Sequence, residues 1–322
     1  MANIMKNIIK LFCSILVIAN TACNTVNSAP MAYITNQGDN SVSVINTKNN
    51  QVTQTIKVGV APVGVAVSPK LKRIYISNVE SRDISVIDTK TNAVIDTIKM
   101  QGSPVGLALS PDNHTLYVAD WFENRVYAIN TEKNSEMRVL KVGVAPAGLI
   151  VSPDGKLLYI ANRDSNDIAI VDTGTLTIIK RITVGKHPFG LTLSQSGLWL
   201  ISVNVMDDTV SVINTKNSTQ EIIKVSYHPY CAALSLDEKT LYVTNTQDDS
   251  VSVINLPSKK LIAKIDVGST PEGISIDHQN RRAYVANWGS DDVTVIDTST
   301  NKVISSIKTG NKSRAFGQFI LQ

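Results

Sequence analysis

From residue 31 onward the chain is written in short alternating apolar and polar runs, punctuated by Asn, Asp, Gly and Pro. One unit shows the grammar. Residues 74–78 (Ile-Tyr-Ile-Ser-Asn) alternate and lead into a polar turn. Residues 84–88 (Ile-Ser-Val-Ile-Asp) follow, then a second turn at 89–92, then 93–98 (Ala-Val-Ile-Asp-Thr-Ile). A link through Gly102-Ser103-Pro104 opens 105–109 (Val-Gly-Leu-Ala-Leu) and the turn Ser110-Pro111-Asp112. Runs of this length, rich in β-branched residues and bounded by turn formers, are strands. No stretch after residue 30 sustains a helical period, so the expectation is all-β.

The unit repeats. The aromatic residue of the first run falls at Tyr33, Tyr75, Tyr117, Tyr159, Trp199, Tyr242 and Tyr284, at intervals of 42, 42, 42, 40, 43 and 42 residues. A strand-rich period in the low forties predicts a β-propeller with one four-stranded antiparallel blade per repeat. The Asn or Asp that ends each third run (Asn46, Asp88, Asn130, Asp172, Asn214, Asn255, Asp297) is expected to cap its own turn.

The ends give the blade count. Residues 31–36 correspond to the tyrosine strand, so the first repeat lacks the Pro-x-Gly strand that should precede it. Its counterpart stands at the other end, in residues 315–320. Seven blades follow, with the C-terminal strand as the innermost strand of the blade begun at the N-terminus. Such closure removes two exposed edges.

The segments Tyr242-Val243-Thr244-Asn245, Tyr284-Val285-Ala286-Asn287, Val251-Ser252-Val253-Ile254-Asn255 and Val151-Ser152-Pro153-Asp154-Gly155 resemble the repeats of bacterial and archaeal YVTN β-propeller proteins over residues 31–322. The resemblance implies a secreted or surface-attached seven-bladed propeller. That family is similar to surface-layer proteins, periplasmic binding proteins and, more distantly, lactonases and haem-carrying propellers, so it implies no single reaction.

The first thirty residues are of another kind. Lys6 and Lys10 precede an apolar run at 11–19, too short to span a bilayer and suited to a signal-peptide core. Two exits fit. Asn20-Thr21-Ala22-Cys23 resembles a lipobox ending at Ala22, with Cys23 as the lipidation candidate, although Asn20 stands where an aliphatic residue is usual. The rival is ordinary cleavage near residue 28, leaving a single propeller domain over 29–322. Either way the protein is expected to be exported to the periplasm, the outer membrane or the cell surface.

Composition narrows the partners. Removing Lys6 and Lys10 lowers the net charge from +4 to +2, which gives no reason to expect nucleic acid. Membrane contact is expected only through a lipid anchor, and a monomer is expected. Beyond Cys23 only Cys231 remains, so the domain holds no intramolecular disulfide, and no Cys-x-x-Cys-His or zinc cluster is present.

Candidate chemistry lies at the mouth of the central channel, where the links into the inner strands and the turns after the tyrosine strands meet. The turns carry acids (Asp39, Asp83, Glu123, Asp164, Asp167, Asp207, Asp208, Asp248, Asp249, Asp291, Asp292), expected as turn formers rather than a calcium site. Trp121 and Trp288 sit in the same turns as candidate contacts for a sugar or peptide.

The links break the repeat. Before the proline stand Ala61, Ser103, Ala145, His187, His228 and Thr270, then Arg314 with Ala315 in place of proline. After it stand Val63, Val105, Ala147, Phe189, Tyr230, Glu272 and Phe316. One side of the ring is therefore aliphatic. The other gathers His187, Phe189, His228, Tyr230, Glu272 and Arg314 as candidate ligand-binding residues. His187 and His228 are also candidate metal or haem ligands. His114 and His278 fall in turns of the opposite face and have no expected role.

Three function classes remain: a non-catalytic scaffold binding a protein, glycan or small molecule; a lactonase-like hydrolase or lyase with a metal at the channel mouth; and a haem or metal carrier. No complete catalytic set is evident and no cofactor is required, which favours the first. The leader itself is testable: if Cys23 is lipidated, Cys23→Ala should move the protein from membranes to the soluble fraction. A wild-type mature N-terminus at Ala29 would rule out the lipid while leaving export intact.

Overall fold

The computed structural model describes residues 30–321, so the leader and Cys23 lie outside the described residues. Within them the chain forms seven antiparallel blades around a central axis; in six the four strands run outward in chain order, and in the first the C-terminal strand stands innermost. Blade 2 is typical, with Pro62–Ser68 innermost, then Arg73–Asn78, Asp83–Asp88 and Ala93–Lys99. The second and third strands are buried on both faces, and the outermost strand is exposed except near its end.

Three recurring side-chain contacts make the repeat. The Asn that ends the second strand is fully buried, and its amide donates across the hairpin: Asn36 to the Ser41 and Ser43 hydroxyls at 3.0 and 2.9 Å, Asn287 to Asp292 and Thr294 at 2.8 and 2.9 Å. The Asn or Asp ending the third strand caps the outer turn in every blade, as expected from the sequence. Backbone N–H groups of Thr91, Thr175 and Thr300 hold the Asp88, Asp172 and Asp297 carboxyls below the usual range. The third contact joins blades. Tyr33, Tyr242 and Tyr284 donate their hydroxyls to Asn92, Asn301 and Asn50, left-handed turn residues of the next blade, at 3.0, 2.8 and 2.8 Å. The Tyr284–Asn50 bond spans the ring closure.

The fifth blade corrects the aromatic spacing. Trp199 pairs with Asn214 at the start of its strand, and Ile201 faces Val212 where Tyr159 faces Ile170 in the blade before. Ile201 therefore fills the tyrosine slot, and Trp199 packs half-buried two positions earlier. The two residues point to the same face, so alternation alone cannot separate them.

Closure is as expected in kind but differs in register. Ile320–Leu321 pairs with Ala32 and Met31 as the innermost strand of blade 1, and the Phe319 carbonyl accepts from Tyr33 N–H at 2.9 Å. Ser313, rather than Ala315, takes the place of proline, bridging Asn36 as Pro62 pairs with Asn78. Ala315 N–H then donates to Thr35 Oγ1 at 2.9 Å, as Gly64 does to Ser77 at 2.8 Å. Arg314 thus occupies the slot after the proline. Phe316–Gly317 bulges out of the blade and pairs in parallel with Gly64 and Val65 of blade 2. Deleting residues 312–322 removes this strand together with the fully buried Phe319. The shortened chain should lose its single cooperative thermal transition and aggregate; melting like the intact chain would contradict the closure.

Candidate functional site

The channel mouth is built by a hydrogen bond from turn to link. Asn40, Asn124, Asn166, Asp208, Asp249 and Asp291 close their turns in the left-handed region, with φ of 46 to 56°. Their side-chain oxygens accept the backbone N–H of Ala61, Ala145, His187, His228, Thr270 and Lys312 at 2.7 to 3.0 Å. The six residues that donate are themselves left-handed, so His187 and His228 sit where the backbone, not the side chain, is specified. Asp208, Asp249 and Asp291 are engaged in this way, consistent with turn-forming acids. Blade 2 is the exception. Arg82 offers no acceptor, Ser103 is absent from the left-handed set, and it bonds the buried Asp120, which Arg125 neutralises at 2.9 Å.

Below the links the inner strands crowd the axis. A Cβ on Gly64 would lie 2.2 Å from the Val105 carbonyl oxygen, which only glycine avoids at that spacing. The residues just before Gly64 and its counterparts (Gly106, Gly148, Gly190, Cys231, Gly273 and Ala315) form a ring: Val63, Val105, Ala147, Phe189, Tyr230, Glu272 and Arg314. The first three are small and buried. The last four build the asymmetric side. Phe189 stacks on Tyr230 with ring centres 4.2 Å apart and on Phe316 at 4.8 Å, and Trp121 approaches Phe189 at 5.7 Å. Aromatic pairs of this kind add about 0.5–1.5 kcal/mol beyond area burial.

A polar brace stands beside them. Arg314 Nε donates to Glu272 Oε2, Nη2 to the Tyr230 hydroxyl at 2.8 Å, and Nη1 to Gln37 Oε1 at 3.3 Å. Gln37 Oε1 also accepts from Trp288 Nε1 at 3.1 Å. Burial raises the Glu272 carboxyl, with Arg314 opposing. Burial also opposes the charge on Arg314, but Tyr230 and Glu272 outweigh it and hold the guanidinium above its ordinary range. Burial pushes the Tyr230 phenol up, so it remains a neutral hydroxyl.

These groups wall a recess of about 330 Å³ lined by Trp121, Arg163, Phe189, Val205, His228, Tyr230, Thr246, Thr270 and Glu272. Of the sequence candidates, Trp121, Phe189, His228, Tyr230 and Glu272 line it directly. Arg314 and Trp288 act from behind through the brace. His187 does not line it: its Nε2 stands 3.8 Å from Asp164, and its Nδ1 is buried without a partner. The two histidines thus part company, and among the described residues no three His, Cys, Asp or Glu side chains are placed to hold a metal.

Arg163, Gln37 and the true role of Phe316 were missed from sequence. Arg163 lies over the Trp121 ring at 5.5 Å and pairs with Asp164 at 2.5 Å. It follows the buried Asn of its blade just as Trp121 follows Asp120, and that shared offset was the available signal. A second cavity of about 360 Å³ runs along the axis below Phe316 and is lined by inner-strand residues together with Cys231, Gln318 and His278. His278 is therefore not incidental to the channel. Burial pushes the Cys231 thiol up, which keeps it protonated.

The buried pair gives a direct test. Removing either Arg314 or Glu272 leaves an uncompensated buried charge and should cost about 3–5 kcal/mol in urea unfolding. The double variant Glu272→Leu/Arg314→Met should recover much of that cost. Additive losses would show that the two residues do not stabilise each other.

Several solved structures share the fold of this chain. Among solved structures it is similar to Kuenenia stuttgartiensis hydrazine synthase, at 22% identity and a TM-score of 0.76, over 88% of this chain and 99% of that one. It is also similar to a functionally unknown protein from Desulfotomaculum acetoxidans DSM 771, at 15% identity and 0.75, over 90% and 100%. The dihydro-heme d1 dehydrogenase NirN in complex with DHE matches at 15% identity and 0.65, over 86% and 63%. At these identities the likeness speaks for the fold alone. A stretch of 44 residues is 54% identical to the PE-PGRS family protein PE_PGRS18 of Mycobacterium tuberculosis (strain ATCC 25618 / H37Rv), 14% of this chain and 10% of that protein. The chain thus spans about a tenth of the length of this curated relative. The profile of the YNCE-like beta-propeller family matches residues 4–316, nearly the whole chain, in agreement with its YVTN-type repeats and seven blades. The chain belongs to the YNCE-like β-propeller family.

Proposed function

We propose that the protein is an exported binding propeller that takes its ligand in the recess at the channel mouth and performs no chemistry on it. The observation that carries this reading is the asymmetric ring. The scaffold accepts Val63, Val105 and Ala147 at three positions, yet it presents Phe189, Tyr230, Glu272 and Arg314 at the other four. A concave, aromatic-walled space with a few convergent polar groups is the usual form of a binding site. His228, Thr270 and Glu272 supply those groups opposite Trp121. The one carboxylate at the recess is engaged by Arg314, which leaves no free acid–base pair for hydrolysis. Export rests on the charged, apolar leader at residues 1–28.

A thermal-shift panel of oligosaccharides, peptides and polar metabolites tests the reading. A compound present at 100 times its Kd should add about 2.7 kcal/mol to the stability of the wild type. That gain should vanish in Trp121→Ala. Compounds that stabilise both proteins equally would move the site elsewhere. A stoichiometric metal, or a Soret band abolished by His228→Ala, would replace the reading with a metal or haem carrier.

A further inference from the structure

The mouth carries a collar that the recess itself does not explain. Among the described residues, five large apolar side chains are exposed in the loops of the mouth face (Val60, Phe122, Val144, Met206 and Tyr227), against Leu236 alone on the opposite face. The three most exposed of the five are Phe122 at 69%, Tyr227 at 64% and Met206 at 52%. Each is the immediate chain neighbour of a recess-lining residue: Phe122 of Trp121, Met206 of Val205, Tyr227 of His228. Val144 joins them, since its carbonyl accepts the Asp164 N–H beside Arg163. An apolar collar around a pocket is the form of a protein contact, with exposed aromatics and Met outside and an anchor pocket within.

The charges that line the recess weigh against a charged occupant. Arg163 is balanced by Asp164 and Glu272 by Arg314, so His228 is the one ionisable lining side chain, apart from the Tyr230 phenol, without a charged partner. A charged ligand gains no free counter-charge from the lining side chains. A sugar could use His228, Thr270 and Glu272, but its outer hydroxyls would meet Phe122, Met206 and Tyr227, which offer little hydrogen bonding.

We infer that the recess and its collar bind a protein partner through an uncharged segment that seats one aromatic side chain in the recess, against the packed rings of Trp121, Phe189 and Tyr230. This rests on the binding role proposed above and names the partner class for the same site. The segment's flanking residues lie on Phe122, Val144, Met206 and Tyr227. Since no charge pair is formed across the contact, salt acts on it only weakly.

The probe is a random linear peptide library panned on the immobilised full-length protein, with enriched peptides then synthesised and titrated singly. Enriched peptides should share an aromatic residue in an uncharged setting. Their affinity should change by less than about twofold between ~0.05 and ~0.5 M NaCl. Trp121→Ala and Phe122→Ser should each weaken them by at least about tenfold, and Leu236→Ser on the opposite face should not. Peptides selected for charge and lost in salt would overturn the inference, as would unchanged binding in Phe122→Ser. If an oligosaccharide or metabolite stabilises the wild type through Trp121 while no peptide enriches, the protein partner falls and the binding role stands.

Discussion

The buried asparagine that ends the second strand in six of the seven blades is the constraint on which the rest hangs. Its amide spans the hairpin to side chains of the third strand, as Asn245 does to Ser250 and Ser252, and in blades 1 and 4 its carbonyl receives the link from the previous blade's edge, Gly310 N–H on Asn36 at 3.1 Å and Gly143 N–H on Asn162 at 3.0 Å. Leaving such a buried amide unpaired costs about 1–3 kcal/mol, so each hairpin top is held in one conformation. The approach is close enough that a Cβ on Gly143 would lie 2.5 Å from the Asn162 side chain. A fixed hairpin top fixes the left-handed turn residue beyond it. That residue in turn captures the link that begins the next blade. Positions at the mouth therefore inherit their geometry from a backbone network that is indifferent to the side chains displayed.

Blade 2 and its successor show what happens when one part changes. With Arg82 in the turn, no acceptor reaches Ser103, and Asp120 replaces the asparagine to take that N–H instead. A buried carboxylate then requires a cation, supplied by Arg125 from the adjoining strand. The substitutions are one linked solution, visible only when hydrogen bonds are traced from turn to link to strand.

Architecture was legible in the chain because it is written seven times: the period, the alternation and the turn-capping Asn and Asp residues all reappear in the structure. What escaped was register. Trp199 was set in the tyrosine slot that Ile201 fills, and Arg314 was set before the proline position of its blade, whereas it stands after it. The first is a two-residue slip, and a shift of two in a strand keeps every side chain on its own face, so alternation offers no warning. The second arises because Phe316–Gly317 bulges out of its blade, and an insertion within a single copy has no repeat to be measured against. The site fared likewise. Phe189, Tyr230 and Glu272 stood out against Val63, Val105 and Ala147 at equivalent positions. The contacts that brace them run from Gln37 to Arg314, across 277 residues, and no local pattern encodes that distance.

Stability does not explain the Glu272–Arg314 pair. Three positions of the same ring are filled by small apolar residues, and buried pairs are often no better than such packing. Its distinct consequence is orientation: one guanidinium fixes the Tyr230 hydroxyl and, through Gln37, holds the Trp288 indole nitrogen. Arg314 and Phe316 both belong to the segment that closes the ring, and Gln37 to the first turn of the described fold. The brace therefore forms only when the two ends of the propeller have met. Closure and the shape of the recess depend on the same residues, so any opening of the first blade would dismantle the site before the other six blades were disturbed.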